Sequence, residues 1–174
     1  MLISKELEAA INAQIGREFG ASLQYNSIAS YFEADHLPNL AGFFFRQSSE
    51  EHMHAMKFLH YILDAGGQVR IPAIPASKYD FADAQEGVQL ALDWEQEVTR
   101  QINELMNLAV QQRDHIAQDF LRWFVTEQLE EIATMEHLLS IVTRAKDNVL
   151  FVDDYISRNP IVPPPGAAGE AGAA

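Results

Sequence analysis

The sequence predicts an all-α protein: a bundle of four long helices with one long crossover and a short fifth C-terminal helix. Three observations carry this prediction. Apolar residues recur at spacings of three and four over four long stretches, the period of a helix with one buried face. Between the second and third stretches lies a segment without periodicity, residues 67–81, that contains Pro72 and Pro75. Each of the four stretches also interrupts its apolar stripe with a glutamate near mid-length.

Composition narrows the possibilities. A chain of 174 residues is most simply one domain with a substantial core. It has no cysteine, which removes disulfides, thiolate metal sites and a cysteine nucleophile, and fits a cytoplasmic location. No apolar run reaches the length of a membrane span. The opening MLISKELEAAINAQ turns helical at once and lacks the apolar segment of a signal peptide. A net charge of -13 argues against nucleic acid and in favour of attracting cations.

The first helix is expected from about Ser4, a plausible N-cap, to Ala34. Its stripe is Leu7, Ile11, Ile15, Glu18, Ser22, Tyr25, Ile28 or Ala29, and Phe32. Pro38 suits the first turn of the second helix, whose stripe runs Leu40, Phe44, Gln47, Glu51, His54, Phe58, Tyr61 until Gly66 and Gly67 stop it. Extended, the crossover spans roughly 50 Å, against roughly 42 Å for a helix of about 28 residues. It can therefore return along the whole bundle and leave its two flanking helices parallel.

Asp83 and Glu86 form a capping pattern for the third helix, with stripe Val88, Leu92, Glu95, Val98, Ile102, Leu105 and Ala109. Asp114 caps the fourth, whose stripe is Ala117, Phe120 or Leu121, Phe124, Gln128, Glu131, Met135, Leu138 and Val142. An amphipathic fifth helix, Val149 to Arg158, is too short to stand alone and needs a surface to pack on. Residues 1–158 are thus read as the folded domain. The proline-, glycine- and alanine-rich tail, 159–174, is expected to lack fixed structure beyond Pro163.

Glu18, Glu51, Glu95 and Glu131 fall at one height in an apolar core, with His54 one turn from Glu51. Such a group requires a salt bridge, shared protons or bound metal to be tolerable. No lysine or arginine occupies a central stripe position. Oxygen ligands with one imidazole suit iron or manganese before zinc, and inward glutamates of this kind occur in di-iron bundles. Glu50, Glu127 and Glu130 sit at stripe edges, readable equally as surface acids. Glu33 and His36 repeat the Glu-x-x-His spacing at a helix end and are read as a decoy. His60, His115 and His137 are expected on the surface; the run Phe43 to Phe45 and Trp123 are expected to pack. A bundle oxidase or manganese catalase acting on a small substrate is the alternative from another enzyme class.

Glu18 with Tyr25, Glu50-Glu51-x-x-His54, Glu95, and Glu127-Gln128-x-Glu130-Glu131, in that order, resemble the ferroxidase signature of the ferritins, most of all the non-haem bacterial ferritins. The resemblance implies a ferritin-like bundle with ferroxidase activity, Fe(II) being oxidised by O2 or H2O2 and stored as Fe(III) oxyhydroxide. It implies one iron on Glu18, Glu51 and His54, and a second on Glu51, Glu95 and Glu131. A weaker third position would use Glu50, Glu127, Glu130 and Glu131. Tyr25 matches a tyrosine thought to aid electron transfer, and Gln128 lies where bacterial members often carry glutamine. The implied assembly is a homo-oligomer of 24 copies with octahedral symmetry, its fifth helix directed to the fourfold axes.

Two departures separate the chain from the haem-binding bacterioferritins. Thr134 stands where they repeat the histidine on the fourth helix, and His52 stands in place of their haem methionine. No haem is therefore expected. Asp114 and Asp119 lie near where ferritins line threefold channels, but are read as a helix cap and a surface acid.

Overall fold

A computed structural model describes residues 2–161. Their helices are α1 (Lys5–Ala34), α2 (Pro38–Asp64), α3 (Ala84–Gln111), α4 (His115–Ala145) and α5 (Val149–Arg158); there is no strand among the described residues. None of the helices is long and apolar enough to cross a membrane. The tail from residue 162 onward lies outside the described residues.

The helix ends follow from local chemistry. Ser4, Asp83 and Asp114 each accept a hydrogen bond from a backbone N–H of the first turn they cap, those of Leu7, Glu86 and Ala117. Pro38 opens α2 at a position where its missing N–H costs nothing. After α2 the chain turns at Gly66 with φ 74°, a conformation open to glycine at little cost. The Gly67 N–H then returns to the Ile62 carbonyl at 2.8 Å.

Helix α1 runs antiparallel to both α2 and α3. Leu2 bonds to Ala65 and Ser22 to Ser48, while Tyr25 meets Ala91 and Gly20 approaches Trp94. Helices α2 and α3 are therefore parallel, as the crossover length predicts. The crossover descends the outside of α1 and is held by two amides. Asn12 Nδ2 donates to the Gln68 carbonyl at 2.9 Å and its oxygen accepts from the Arg70 N–H. Gln24 exchanges two 2.8 Å bonds with the backbone of Lys78. Between them Pro72 lies against Gly16, where a Cβ would come within 2.3 Å of its Cγ.

Two apolar clusters fill the bundle. One joins Tyr25, Phe32, Phe44, Val88, Met135 and Leu138 to Val152 and Ile156 of α5. The other joins Ile11, Ile15, Phe58, Ile102, Leu121 and Phe124, with the Phe58 and Phe124 rings stacked 4.0 Å apart. Glu18, Glu51, Glu95 and Glu131 form the layer between the clusters.

Helix α5 finds its support in α2 and α4. Besides burying Val152, it places the Asp153 carboxylate at the start of α2, where it accepts from the N–H groups of Asn39 and Leu40, each at 2.9 Å, and from Asn39 Nδ2 at 2.7 Å. Leu37, at the N-cap of α2, supplies no side-chain cap, so an acid distant in sequence does so.

One packing expectation is corrected. Phe43 and Phe44 are buried, but Phe45 is 43% exposed, because three consecutive helical positions cannot share one face. Trp123 packs as expected, against Phe124 and under the Lys57 ammonium. His36, His60, His115 and His137 are exposed, as is Asp119.

Candidate metal centre

Each long helix delivers its glutamate to the same layer. Glu51 and Glu95 are 0% exposed, Glu18 1% and Glu131 5%. Single ligand atoms of Glu18, Glu51 and His54 all lie within 4.8 Å of one another, as do those of Glu51, Glu95 and Glu131. Glu51 belongs to both groups. A third such group joins His54 to Glu127 and Glu131; it draws Glu127 nearer the centre than its stripe-edge position suggests.

Hydrogen bonds satisfy these carboxylates unequally. Glu95 accepts from the Tyr25 hydroxyl on one oxygen and from Gln128 Nε2, at 3.4 Å, on the other. The Thr99 hydroxyl lies 2.8 Å from the Gln128 carbonyl oxygen. Glu131 accepts from Gln47 Nε2 at 3.3 Å, and the same amide nitrogen donates to Glu50. Glu18 accepts from Gln14 Nε2 at 2.8 Å. Glu18 Oε2 and Glu51 Oε1 are buried without any hydrogen-bond partner. Two carboxyl oxygens left without a partner in one dry layer are costly, and either a proton shared between Glu51 and Glu18 or a bound cation would relieve both.

His54 is fixed by ring packing. Its imidazole meets Trp123 and Phe124 edge-on, with centroids 5.5 and 5.8 Å away. That leaves Nδ1 3.3 Å from Glu51 Oε2 and Nε2 4.0 Å from Glu127 Oε1. Either ring nitrogen thus has a carboxylate nearby.

The electrostatics report crowding. Burial, followed by the charges of Glu95 and Glu18, pushes Glu51 well above the ordinary carboxylate range. Burial, then Glu95 and Glu51, does the same to Glu131. Burial raises Glu95 to about 7 even though the Tyr25 hydrogen bond opposes it. The Tyr25 phenol is driven well above its usual value by burial and by the adjacent Glu95. Without cations the layer therefore holds protons that a divalent metal would displace.

Beside this layer Glu50, Glu127, Glu130 and Glu131 line a cavity of about 210 Å³ together with Gln47 and Arg46. Glu130 Oε2 is buried there with no partner, and burial raises Glu127. Glu33 and His36 lie exposed at the end of α1, far along the helix from the layer. Among the residues that sequence reading passed over, Gln14 touches Glu18 directly. Its place four residues ahead of a buried glutamate was the available signal.

Comparison with known proteins gives a consistent answer. Residues 8–145 match the family model of the ferritin-like domain. The chain is 39% identical over 156 residues to Ferritin BfrB of Mycolicibacterium smegmatis, covering 90% of this chain and 86% of that one. It is 36% identical over 147 residues to a bacterial non-heme ferritin of Staphylococcus aureus, covering 84% and 89% respectively. Among solved structures, an open pore ferritin from the archaeon Archaeoglobus fulgidus superposes with a TM-score of 0.86 at 30% identity, over 90% of this chain and 97% of that one.

Proposed function

The chain belongs to the ferritin family, and on that premise we propose that it oxidises Fe(II) at a paired site inside each subunit and stores the product as Fe(III) oxyhydroxide within a shell of 24 copies in the cytoplasm. Iron is the substrate here. The first ion is assigned to Glu18, Glu51 and His54, and the second to Glu51, Glu95 and Glu131, with Glu51 shared. Glu50, Glu127, Glu130 and Glu131 are assigned to a looser third position beside the cavity. The working unit is residues 1–158, and no haem takes part.

The observation that carries this reading is the pair of buried, unpartnered oxygens on Glu18 and Glu51, set among carboxylates that burial forces to hold protons. No lysine or arginine neutralises them within salt-bridge distance among the described residues. Two divalent cations would balance most of that charge and displace the protons.

The chemistry then follows from the ligands. Each of two Fe(II) ions gives up one electron; O2 takes both with two protons and leaves as H2O2, or H2O2 takes both with two protons and leaves as two waters. Anionic oxygen ligands favour the higher charge on iron, so they assist the oxidation. Glu51, with one oxygen facing His54 and the other free, can keep contact with both ions as their charge rises. Tyr25, bonded to Glu95, is placed to relay an electron, and Gln128 holds Glu95 from the other side. The net charge of -13 draws Fe(II) inward.

Replacing Glu51 and His54 together by Ala tests the proposal. Ferric absorbance after mixing Fe(II) with O2 should lose its fast phase while the helical content stays that of the parent. Unchanged fast oxidation would remove both residues from the reaction.

A further inference from the structure

We propose that Gln14, held in place by Arg17, is a positioning residue that restricts Glu18 to one free oxygen and thereby sets the affinity of the first metal position. The inference rests on the assignment of Glu18, Glu51 and His54 to that position.

Gln14 is 0% exposed, on α1 between Ile11 and Ile15 of an apolar cluster. A primary amide so placed costs stability unless both of its ends are bonded. Both are. Nε2 donates to Glu18 Oε1 at 2.8 Å, and Oε1 accepts from an Arg17 guanidinium N–H at 3.1 Å. This pairing also fixes which end of the amide is which. Turned over, its oxygen would face a carboxylate oxygen and its NH2 would face a guanidinium donor.

The consequence falls on Glu18. One of its oxygens is committed to Gln14 and the other, Oε2, is buried and unpartnered. A metal is therefore offered a single oxygen at a fixed angle. Glu95 differs: both of its oxygens already accept from the protein, through Tyr25 and Gln128. Arg17 is exposed, so its charge stays in water while its N–H polarises the amide and strengthens donation to Glu18. With its Gln14 partner held at both ends in this way, the carboxylate keeps its free oxygen turned toward the first metal position without reorienting when the ion arrives.

The experiment compares the parent assembly with Gln14→Met, which keeps volume and removes the amide, and Arg17→Ala, at an exposed position. Each is titrated with Co(II) in air and with Fe(II) under nitrogen, following heat and the Co(II) d–d absorption. The expected result is a first-ion affinity about 10–100-fold weaker in Gln14→Met, the range seen when a partner of a metal ligand is lost. A smaller weakening of the same ion is expected in Arg17→Ala, with an altered d–d band in both and the second ion unchanged. First-ion affinity within twofold of the parent in both variants overturns the proposal, as does an equal loss at both ions. If Gln14→Met fails to assemble, Arg17→Ala decides alone by the same criterion. A parent that binds no pair of ions refutes the paired-site reading instead, independently of Gln14.

Discussion

Tyr25 of α1 and Glu95 of α3 meet inside the bundle, the phenol donating a hydrogen bond to a carboxylate oxygen that no solvent reaches. That bond joins the apolar cluster around Phe44 to the acidic layer, and it opposes the burial that raises Glu95. Removing the hydroxyl with Tyr25→Phe leaves a buried acceptor unsatisfied. The metal-free protein should lose about 1–3 kcal/mol, measured by denaturant unfolding. Bound Co(II) should recover most of that loss, because Glu95 then has a metal partner.

The pH dependence of the metal-free protein has a definite sign. Glu95 rises from 4.5 to about 7 on folding, and Glu51 and Glu131 move the same way. Between the unfolded and folded values the native state binds more protons than the unfolded one, so stability falls as pH increases. The contribution from these acids is intact below about pH 4.5 and is lost as pH rises through 7. For Glu95 alone the loss is about 3 kcal/mol. Glu97, lowered to about 2 by Arg100, pulls the other way, but this exposed pair contributes little. Calorimetry of the metal-free protein at pH 5 and pH 8 should show the lower Tm at pH 8, and Mn(II) should abolish the difference.

Two glycines on α1 should behave oppositely. A Cβ at Gly16 would sit 2.3 Å from Pro72 Cγ and 2.9 Å from its Cδ, and a proline ring cannot fold away. Gly16→Ala should therefore cost about 1–3 kcal/mol by pushing the crossover off α1. At Gly20 the nearest atom, on Trp94, is 3.5 Å away, an ordinary contact. Gly20→Ala should be neutral or stabilising by up to about 1 kcal/mol through helix propensity. Unfolding curves of the two variants decide.

Asp153 ties α5 to the start of α2 through three hydrogen bonds. Asp153→Ala should cost about 0.5–2 kcal/mol, as loss of a helix cap does. Hydrogen exchange should quicken at Asn39, Leu40 and residues 149–158 while the four long helices keep their protection. Unchanged exchange there would show that Val152 and Ile156 alone hold α5.

Much of this was legible in the sequence. The four stripes, the crossover and three of the caps rest on local rules: a period near 3.6, Gly and Pro as stops, Ser or Asp before a helix. The convergence of Glu18, Glu51, Glu95 and Glu131 followed from their common mid-helix height. What escaped depends on partners distant in sequence. Asn12 and Gln24 look like surface residues until the crossover is laid along α1. Asp153 reads as the wet face of a short helix until α2 is placed beside it. Gln14 was hidden for a different reason: α1 is covered by α2, α3 and the crossover, so polar residues off its apolar stripe are buried too.

The most direct test of the central claim is iron-edge anomalous scattering from crystals of the protein soaked with Fe(II) without oxygen. Two peaks about 3.5–4 Å apart are expected, lying between Glu18, Glu51, His54, Glu95 and Glu131. A layer free of iron, or iron found only on exposed acids, would contradict it.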